Sequence, residues 1–148
     1  EEGWIGMFCS PRVVDVENGH IFFRLHPNIH NAYSRAVRNV KDVSDDGYMA
    51  SFDLEDGETA DIGGFIISRK GNSIVTDRSS VYPAFEGAHL ISETPELKGG
   101  CHLDVLVDPH LIEVYINDGE YVISNAVYDL GNEISCDADK DILLYTTA

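Results

Sequence analysis

Carboxylates are the most abundant side chains in this sequence that could perform chemistry. The 148 residues include 26 Asp and Glu, and two carboxyl groups set across a sugar-binding cleft are the machinery of glycoside hydrolysis. With so many carboxylates, no particular pair can be chosen as catalytic, because the spacing of two residues along the chain does not give the distance between their carboxyl groups. The segment 137–141 has carboxylates at positions 1, 3 and 5 of a calcium loop, but Ile142 and Ala148 stand where that loop needs glycine and glutamate. We therefore expect a solvated acidic loop there.

Other reactive side chains lack the spacing of a catalytic or metal site. The sequence contains no Gly-x-Ser-x-Gly, His-Glu-x-x-His, phosphate-loop or dinucleotide-binding motif. Six scattered histidines show no metal-ligand spacing, and the three cysteines include no Cys-x-x-Cys pair. We predict no metal site and no cofactor, and we expect buried free thiols at Cys9, Cys101 and Cys136.

The net charge narrows the range of partners. A formal charge of −16 repels phosphate backbones and anionic lipid surfaces, so we expect neither a nucleic acid nor a membrane partner. No apolar run approaches the roughly 20 residues that span a bilayer. The charge is most simply a source of solubility.

Short β-strands separated by turns must position these side chains. Asn18-Gly19 between two β-rich runs predicts a hairpin of residues 13–16 and 20–25. Alternation places Leu103, Val105 and Val107 on one buried face, and Ile112, Val114 and Ile116 follow the same pattern on the next strand. Asp118-Gly119 predicts a second tight turn.

About ten strands are expected in all, with no sustained helical period. The predicted strands cover residues 13–16, 20–25, 48–54, 62–69, 73–78, 101–108, 111–117, 120–124 and 141–146. Residues 31–43 suit either a strand or a short helix, and residues 79–100 are rich in loops. This pattern is typical of an antiparallel sandwich or barrel.

Leu103 to Tyr128 is the most specific stretch. Val107-Asp108 ends one strand, and Glu113-Val114-Tyr115-Ile116-Asn117-Asp118-Gly119-Glu120 opens the next hairpin. This stretch resembles the signature near the end of glycoside hydrolase family 32 proteins, with Tyr115 in place of the usual Phe. Two weaker resemblances to that family follow the same order. They are Gly3-Trp4-Ile5-Gly6-Met7 with Pro11-Arg12, and Gly64-Phe65-Ile66-Ile67 with Asp77-Arg78.

The resemblance implies an all-β fold, an antiparallel two-sheet β-sandwich of the concanavalin or lectin-like kind. It also implies that residues 1–148 are a single C-terminal accessory domain. Family 32 enzymes cleave or transfer β-fructosyl units, and their catalytic motifs (Asn-Asp-Pro-Asn-Gly, Arg-Asp-Pro and Glu-Cys) belong to an N-terminal β-propeller. None of these motifs occurs here. We therefore expect no catalytic residue and no enzyme activity in this chain, which would be a piece of a longer β-fructoside hydrolase.

The resemblance implies a structural role first. In that role the sandwich packs on the propeller of the same polypeptide, stabilises it and mediates a homodimer. Trp4, Ile5 and Met7 precede the first strand and are the candidate interface residues, because apolar surface exposed by a cut between domains marks a contact.

A second role is carbohydrate binding. A related sandwich, carbohydrate-binding module family 66, recognises terminal fructose, and four residues here could hold sugar hydroxyls: Arg78, Asp108, Glu113 and Asn117. Tyr115 would share a strand face with Glu113 and Asn117. An ion cluster of little energetic value is the alternative for these residues, and an independent lectin-like domain is a third reading of the fold. Lean cysteine usage favours a cytoplasmic location, with secretion as the alternative.

Overall fold

Two antiparallel sheets form the body of the described chain, which comprises residues 7–43, 47–137 and 140–148 of a computed structural model. The first strands and the helix are β1 (Arg12–Glu17), β2 (His20–Leu25), α1 (Pro27–Ala32) and β3 (Arg35–Val37). Next come β4 (Tyr48–Asp53), β5 (Thr59–Ile62), β6 (Phe65–Lys70), β7 (Ser73–Asp77) and β8 (Ile91–Glu93). The last are β9 (His102–Asp108), β10 (Leu111–Ile116), β11 (Tyr121–Ala126), β12 (Ile134–Cys136) and β13 (Leu143–Thr146).

The strand order confirms the β-sandwich. One sheet has six strands in the order β11-β10-β9-β4-β13-β3, and the other has five in the order β12-β5-β6-β7-β8. The strands β1 and β2 form a separate two-stranded sheet, and all pairings within the described residues are antiparallel. The β-sandwich therefore carries an additional hairpin at its N-terminal side.

Alternation along β9 and β10 builds the core between the two sheets. Leu103, Val105 and Val107 lie in this core, as do the alternating residues of β10 that were predicted with them, Ile112, Val114 and Ile116. They pack against buried side chains of the opposite sheet such as Phe65 and Ile67. Because successive side chains of a strand point to opposite faces, Glu113 and Tyr115 must lie on the outer face.

The hairpin of β1 and β2 forms at the predicted turn. Asn18 and Gly19 both adopt positive φ, 50° and 77°, which matches the right-handed twist of the flanking strands. The second predicted turn is also confirmed, since Asp118 and Gly119 adopt φ of 57° and 92° between β10 and β11.

Three expectations about secondary structure were wrong or incomplete. The predicted strand 62–69 is two strands, because Gly63 and Gly64 adopt φ of 59° and 99° and reverse the chain. The open segment 31–43 contains the strand β3 and a 3₁₀ turn at Val40–Asp42, whereas the helix α1 begins before it, at Pro27, and only ends within it. The short strands β8 and β12 were not expected. Each has three residues, too few to show a repeating pattern.

The helix α1 begins at a proline. Pro27 is tolerated in the first turn because its missing N–H would have no helical partner there. The Nδ1 atom of His26 accepts the N–H of Asn28 at 3.1 Å and caps the helix. Within the part of the chain that the structure describes, no helix is long and apolar enough to cross a membrane.

The three cysteines have different environments. All are free, with Cys101 buried, Cys136 half-buried and Cys9 exposed. The prediction of a buried thiol was therefore wrong for Cys9, because this residue lies in an irregular segment before β1 rather than in a strand.

Candidate functional site

The β1–β2 hairpin has an apolar face that the rest of the described chain leaves open. Val14 pairs with Phe23 and Val16 pairs with Ile21, so the four side chains share one side of the hairpin. Their exposed fractions are 63%, 42%, 64% and 51% in that order. We call Val14, Val16, Ile21 and Phe23 the hairpin face. Contiguous exposed apolar side chains of this kind mark an interaction surface.

The segment directly before the hairpin also exposes apolar side chains. The side chain of Phe8 is fully exposed, and that of Met7 is half-buried. The other two residues predicted at the interface, Trp4 and Ile5, lie outside the described residues. Apolar side chains directly before β1 are thus also open to solvent.

An ion pair attaches one end of the hairpin to the outer face of the six-stranded sheet. Arg12 Nη2 donates to Glu113 Oε1 at 2.7 Å, and the backbone N–H of Ser10 donates to Glu113 Oε2 at 3.0 Å. The hydroxyl of Ser124, on the neighbouring strand, accepts from Arg12 Nη2 at 2.7 Å. The Glu113 side chain is only 2% exposed, so this carboxylate depends on these partners for its solvation.

Tyr115 completes this cluster. Its hydroxyl accepts from Arg12 Nε at 3.2 Å and lies 3.4 Å from Glu113 Oε1. Burial raises the pKa of Tyr115 to about 12 and outweighs the opposing hydrogen bond from Arg12, while the Glu113 charge also raises this pKa. The phenol therefore stays neutral at physiological pH and serves as a hydrogen-bonding group.

A second attachment lies on β2, near the same open end of the hairpin, and joins it to the turn between β10 and β11. The N–H of Phe23 donates to the carbonyl of Gly119 at 2.9 Å, and Arg24 Nη1 donates to Asp118 Oδ2 at 2.6 Å. A Cβ on Gly119 would clash with the backbone of Phe23 and Arg24. Glycine is thus required here both for its positive φ and for the close approach of the hairpin.

Apolar packing lies beneath the two attachments. Met49, Leu106 and Tyr115 are buried on the outer face of the six-stranded sheet, although they are outside the sandwich core. Leu25 from the hairpin and Ile29 from α1 pack against them. The N-terminal elements therefore form a third layer over this sheet and hold the hairpin face in a fixed orientation.

Three of the four residues predicted to hold a sugar are engaged in separate structural contacts, and the fourth, Asp108, is exposed. Glu113 belongs to the buried cluster beneath the hairpin. Arg78 donates through Nε and Nη2 to the carbonyl of His89, at 2.8 Å and 2.6 Å, and through Nη1 to the carbonyl of Ala126 at 2.9 Å. These bonds fix two loops by their backbone and occupy the polar edge of the guanidinium.

Asn117 supports the second tight turn. It accepts the N–H of His102 at 2.9 Å and donates to the carbonyl of Gly100 at 3.0 Å and to Glu120 Oε2 at 2.9 Å. Asp108 is exposed at the end of β9. Among the described residues, no hydrogen bond or ion pair joins any two of the four predicted side chains, so their sugar-binding role stays a prediction.

Ser51, His102 and Asp53 have the residue types of a nucleophilic triad. Ser51 Oγ lies 3.2 Å from His102 Nε2, and His102 Nδ1 lies 2.6 Å from Asp53 Oδ1. The serine hydroxyl, however, donates to Asp104 Oδ1 at 2.7 Å rather than to the imidazole. Partial burial lowers the pKa of His102, but the hydrogen bond to Asp53 and the charge of Asp104 raise it by more, so the pKa lies above its ordinary value. Because its one proton is directed to Asp104, the Ser51 hydroxyl is not placed to be activated by the imidazole, and the cluster fits a polar network between β4 and β9.

No group of three His, Cys, Asp or Glu side chains within the described ranges is placed to hold a metal ion. In the acidic loop, Asp137 accepts the N–H of Thr59 at 2.9 Å, and Lys140 donates to Glu58 at 2.6 Å. Both contacts attach this loop to β5 and the turn before it.

The sequence predictions did not include the hairpin face, although the sequence contains a signal for it. Valine recurs at positions 14 and 16, and apolar side chains recur at 21 and 23, so both strands show a period of two. That pattern predicts one apolar side, but it does not tell whether the chain itself covers that side.

Comparison with known proteins supports a single family. The profile of the family described as "Glycosyl hydrolases family 32 C terminal" matches residues 29–147. Comparison with curated protein sequences gives no significant match.

Two solved structures share the fold. The structure of sucrose-6-phosphate hydrolase from Lactobacillus gasseri superposes with a TM-score of 0.69 at 19% identity, covering 91% of this chain and 32% of that one. The Bombyx mori GH32 beta-fructofuranosidase BmSUC1 superposes with a TM-score of 0.64 at 12% identity, covering 92% of this chain and 32% of that one. This chain therefore spans about a third of each of these proteins. With the matched profile and the two-sheet architecture, these findings show that the chain belongs to the family of C-terminal β-sandwich domains of glycoside hydrolase family 32.

Proposed function

We propose that this chain is the non-catalytic accessory domain of a β-fructosidase, and that it stabilises a catalytic propeller in the same polypeptide. The hairpin face is the contact surface, extended by Phe8 and by the predicted interface residues Trp4, Ile5 and Met7. The β-fructoside substrate class is inferred from the two enzymes that share the fold, a sucrose-6-phosphate hydrolase and a β-fructofuranosidase.

The single observation that carries this proposal is that the hairpin face is fixed in position and is exposed to solvent. A two-stranded hairpin is marginally stable by itself, and here it is fixed by a buried ion pair from β1 and by a close backbone contact from β2. Covering an exposed isoleucine stabilises a complex by about 1.5–3 kcal/mol. A docked partner would thus gain several kcal/mol from the hairpin face.

The test compares two isoleucines in the full-length enzyme, with the chain joined to its propeller. Ile21 lies on the hairpin face at 51% exposure, and Ile91 lies in β8 of the five-stranded sheet at 55% exposure. We expect Ile21→Ser to lower the unfolding midpoint of the full-length enzyme and Ile91→Ser to leave it unchanged. Both substitutions should be nearly neutral in the 148-residue chain alone, because each side chain is already exposed to solvent there.

Equal effects of the two substitutions in the full-length enzyme would refute the hairpin face as the contact. A homodimer through this face is the second role proposed for the chain. Sedimentation of the chain alone would then show a dimer that Ile21→Ser dissociates and Ile91→Ser leaves intact.

A further inference from the structure

Aromatic rings cluster on the two loops that Arg78 joins through its bonds to the carbonyls of His89 and Ala126. The rings of Tyr82 and Tyr128 have centroids 5.6 Å apart at an interplanar angle of 39°, and Phe85 lies 6.0 Å from Tyr82 at 47°. Phe85 is 60% exposed and Tyr128 is 36% exposed. We call Tyr82, Phe85 and Tyr128 the aromatic platform. Solvent-exposed aromatic side chains that are grouped in this way are costly unless they bind something.

Contacts within the chain hold the Tyr82 and Tyr128 parts of the platform in place. The guanidinium of Arg78 lies 3.7 Å from the centroid of the Tyr82 ring, while its nitrogens are bonded to two backbone carbonyls. The N–H of Tyr128 donates to the carbonyl of Val81 at 2.6 Å, which joins the two loops that carry the rings. Val81 and Val127, next to the rings in sequence, are buried in the core at 3% and 0% exposure. Rigid rings lose little conformational entropy on binding.

A shallow concavity beside the platform supplies polar groups. Its volume is about 460 Å³, and the residues that line it include Tyr82, Tyr128, Ser80 and Asp129. Asp129 adopts a φ of 57°, a left-handed conformation that is uncommon outside glycine and is found at functional loops. Ligand sites are typically concavities of roughly this size with apolar walls and a few polar groups.

We propose that the aromatic platform and this concavity bind the fructosyl end of a neutral oligosaccharide. A sugar ring has an apolar face of C–H groups that packs on an aromatic ring, and hydroxyls at its rim that donate to a carboxylate or serine oxygen. A neutral sugar suits the site because the chain carries a net charge of −16 and Asp129 lines the concavity. Arg78, predicted as a ligand contact, is here a positioning residue beneath Tyr82.

The proposal that a sugar stacks here depends only on the geometry of the platform. The proposal that this sugar is a fructosyl unit also rests on the proposed β-fructosidase function. The two proposals use different residues. Failure of sugar binding would leave the Ile21 and Ile91 comparison unaffected, and failure of docking would leave the sugar measurement unaffected.

The test is electrophoresis of the 148-residue chain through native gels that contain inulin, levan or maltodextrin. We expect inulin or levan to retard the chain and maltodextrin to leave its mobility unchanged. Phe85→Ala and Tyr128→Ala should each weaken retardation about tenfold, as expected for loss of one stacked ring. Tyr128→Phe keeps the ring and should retain most of the retardation.

The matched control is Phe23→Ala, which removes an exposed phenylalanine from the hairpin face and should not change retardation. Urea unfolding of each variant confirms that the fold is intact. The proposal is overturned if neither fructan retards the chain, if maltodextrin retards it equally, or if the platform variants behave like Phe23→Ala. It is also overturned if those variants lower the stability of the full-length enzyme while fructan retardation is unchanged, because the platform would then be a protein contact.

Discussion

Replacement of Arg12 by alanine would leave the Glu113 carboxylate buried without its cation. The Glu113 side chain is 2% exposed and that of Arg12 is 25% exposed. Removing one member of a buried ion pair costs roughly 3–5 kcal/mol, and the partial exposure of Arg12 lowers this to about 2–3 kcal/mol. In a chain of this size such a loss corresponds to a decrease in Tm of roughly 5–10 °C.

The hairpin could avoid this cost by detaching and exposing Glu113 to water. Detachment would also uncover Met49, Leu106 and Tyr115, which are 3%, 5% and 1% exposed. Each buried apolar side chain contributes about 1.5–3 kcal/mol, so detachment costs more than the unpaired carboxylate. We therefore expect the hairpin to stay docked and the full penalty to appear in the free energy of unfolding.

Urea unfolding of Arg12→Ala at neutral pH measures this penalty, and Arg24→Ala is the matched control. Arg24 lies on the same hairpin at 20% side-chain exposure, but its partners Asp15, Glu17 and Asp118 are 49%, 55% and 74% exposed. Exposed ion pairs contribute about 0–1 kcal/mol, so Arg24→Ala should be much milder.

Adding Glu113→Gln to Arg12→Ala completes a double-mutant cycle. The amide carries no charge to bury, so the double variant should be less destabilised than the sum of the single variants by about 1 kcal/mol or more. Equal destabilisation by the two arginine variants, or strict additivity in the cycle, would contradict the assignment of a buried ion pair.

Three further outcomes follow from the structure. Gly119→Ala should destabilise the chain by about 2–4 kcal/mol, and Gly71→Ala by about 1 kcal/mol. Both glycines have positive φ, but only a Cβ at position 119 would meet a neighbouring backbone. Equal urea unfolding midpoints for the two variants would exclude the close approach of the hairpin to Gly119. The raised pKa of His102 gives a stabilising contribution that is complete below its unfolded pKa and is lost as pH rises through the folded pKa. His102→Gln should therefore flatten the decline in unfolding free energy between about pH 6 and pH 8, relative to the parent chain, and the imidazole should titrate above 6.5 by NMR. Ellman's reagent should modify Cys9 rapidly and Cys101 only after unfolding, because Cys101 is buried and burial raises its thiol pKa; rapid labelling of both thiols would contradict the structure.

Local signals in the sequence predict most of the sandwich. Asn18-Gly19 and Asp118-Gly119 mark two hairpin turns, and the period of two along β9 and β10 identifies the core face. The prediction failed where one turn signal lay inside an apolar run. Gly63-Gly64 reverses the chain within 62–69, but glycine in a strand pattern also indicates a bulge.

The candidate site depends on contacts that sequence spacing does not reveal. The period of two correctly places Glu113 and Tyr115 on one face, yet Arg12, which is 101 residues from Glu113, comes from another element to pair with it. The sequence pattern of a polar side chain on a strand is the same whether that side chain binds a ligand or is covered by another part of the same chain. Only the packing of the hairpin distinguishes these cases.

The two separate attachments of the hairpin have a mechanical consequence. An element tied at one point can swivel, whereas one tied at both Glu113 and Gly119 resists torsion as well as translation. A pull applied to the chain before Ser10 would first load the Glu113 bonds in shear, and would reach the ladder between β1 and β2 only after they broke. A force or torque applied to the residues before Ser10 would thus be transmitted through the hairpin to the six-stranded sheet.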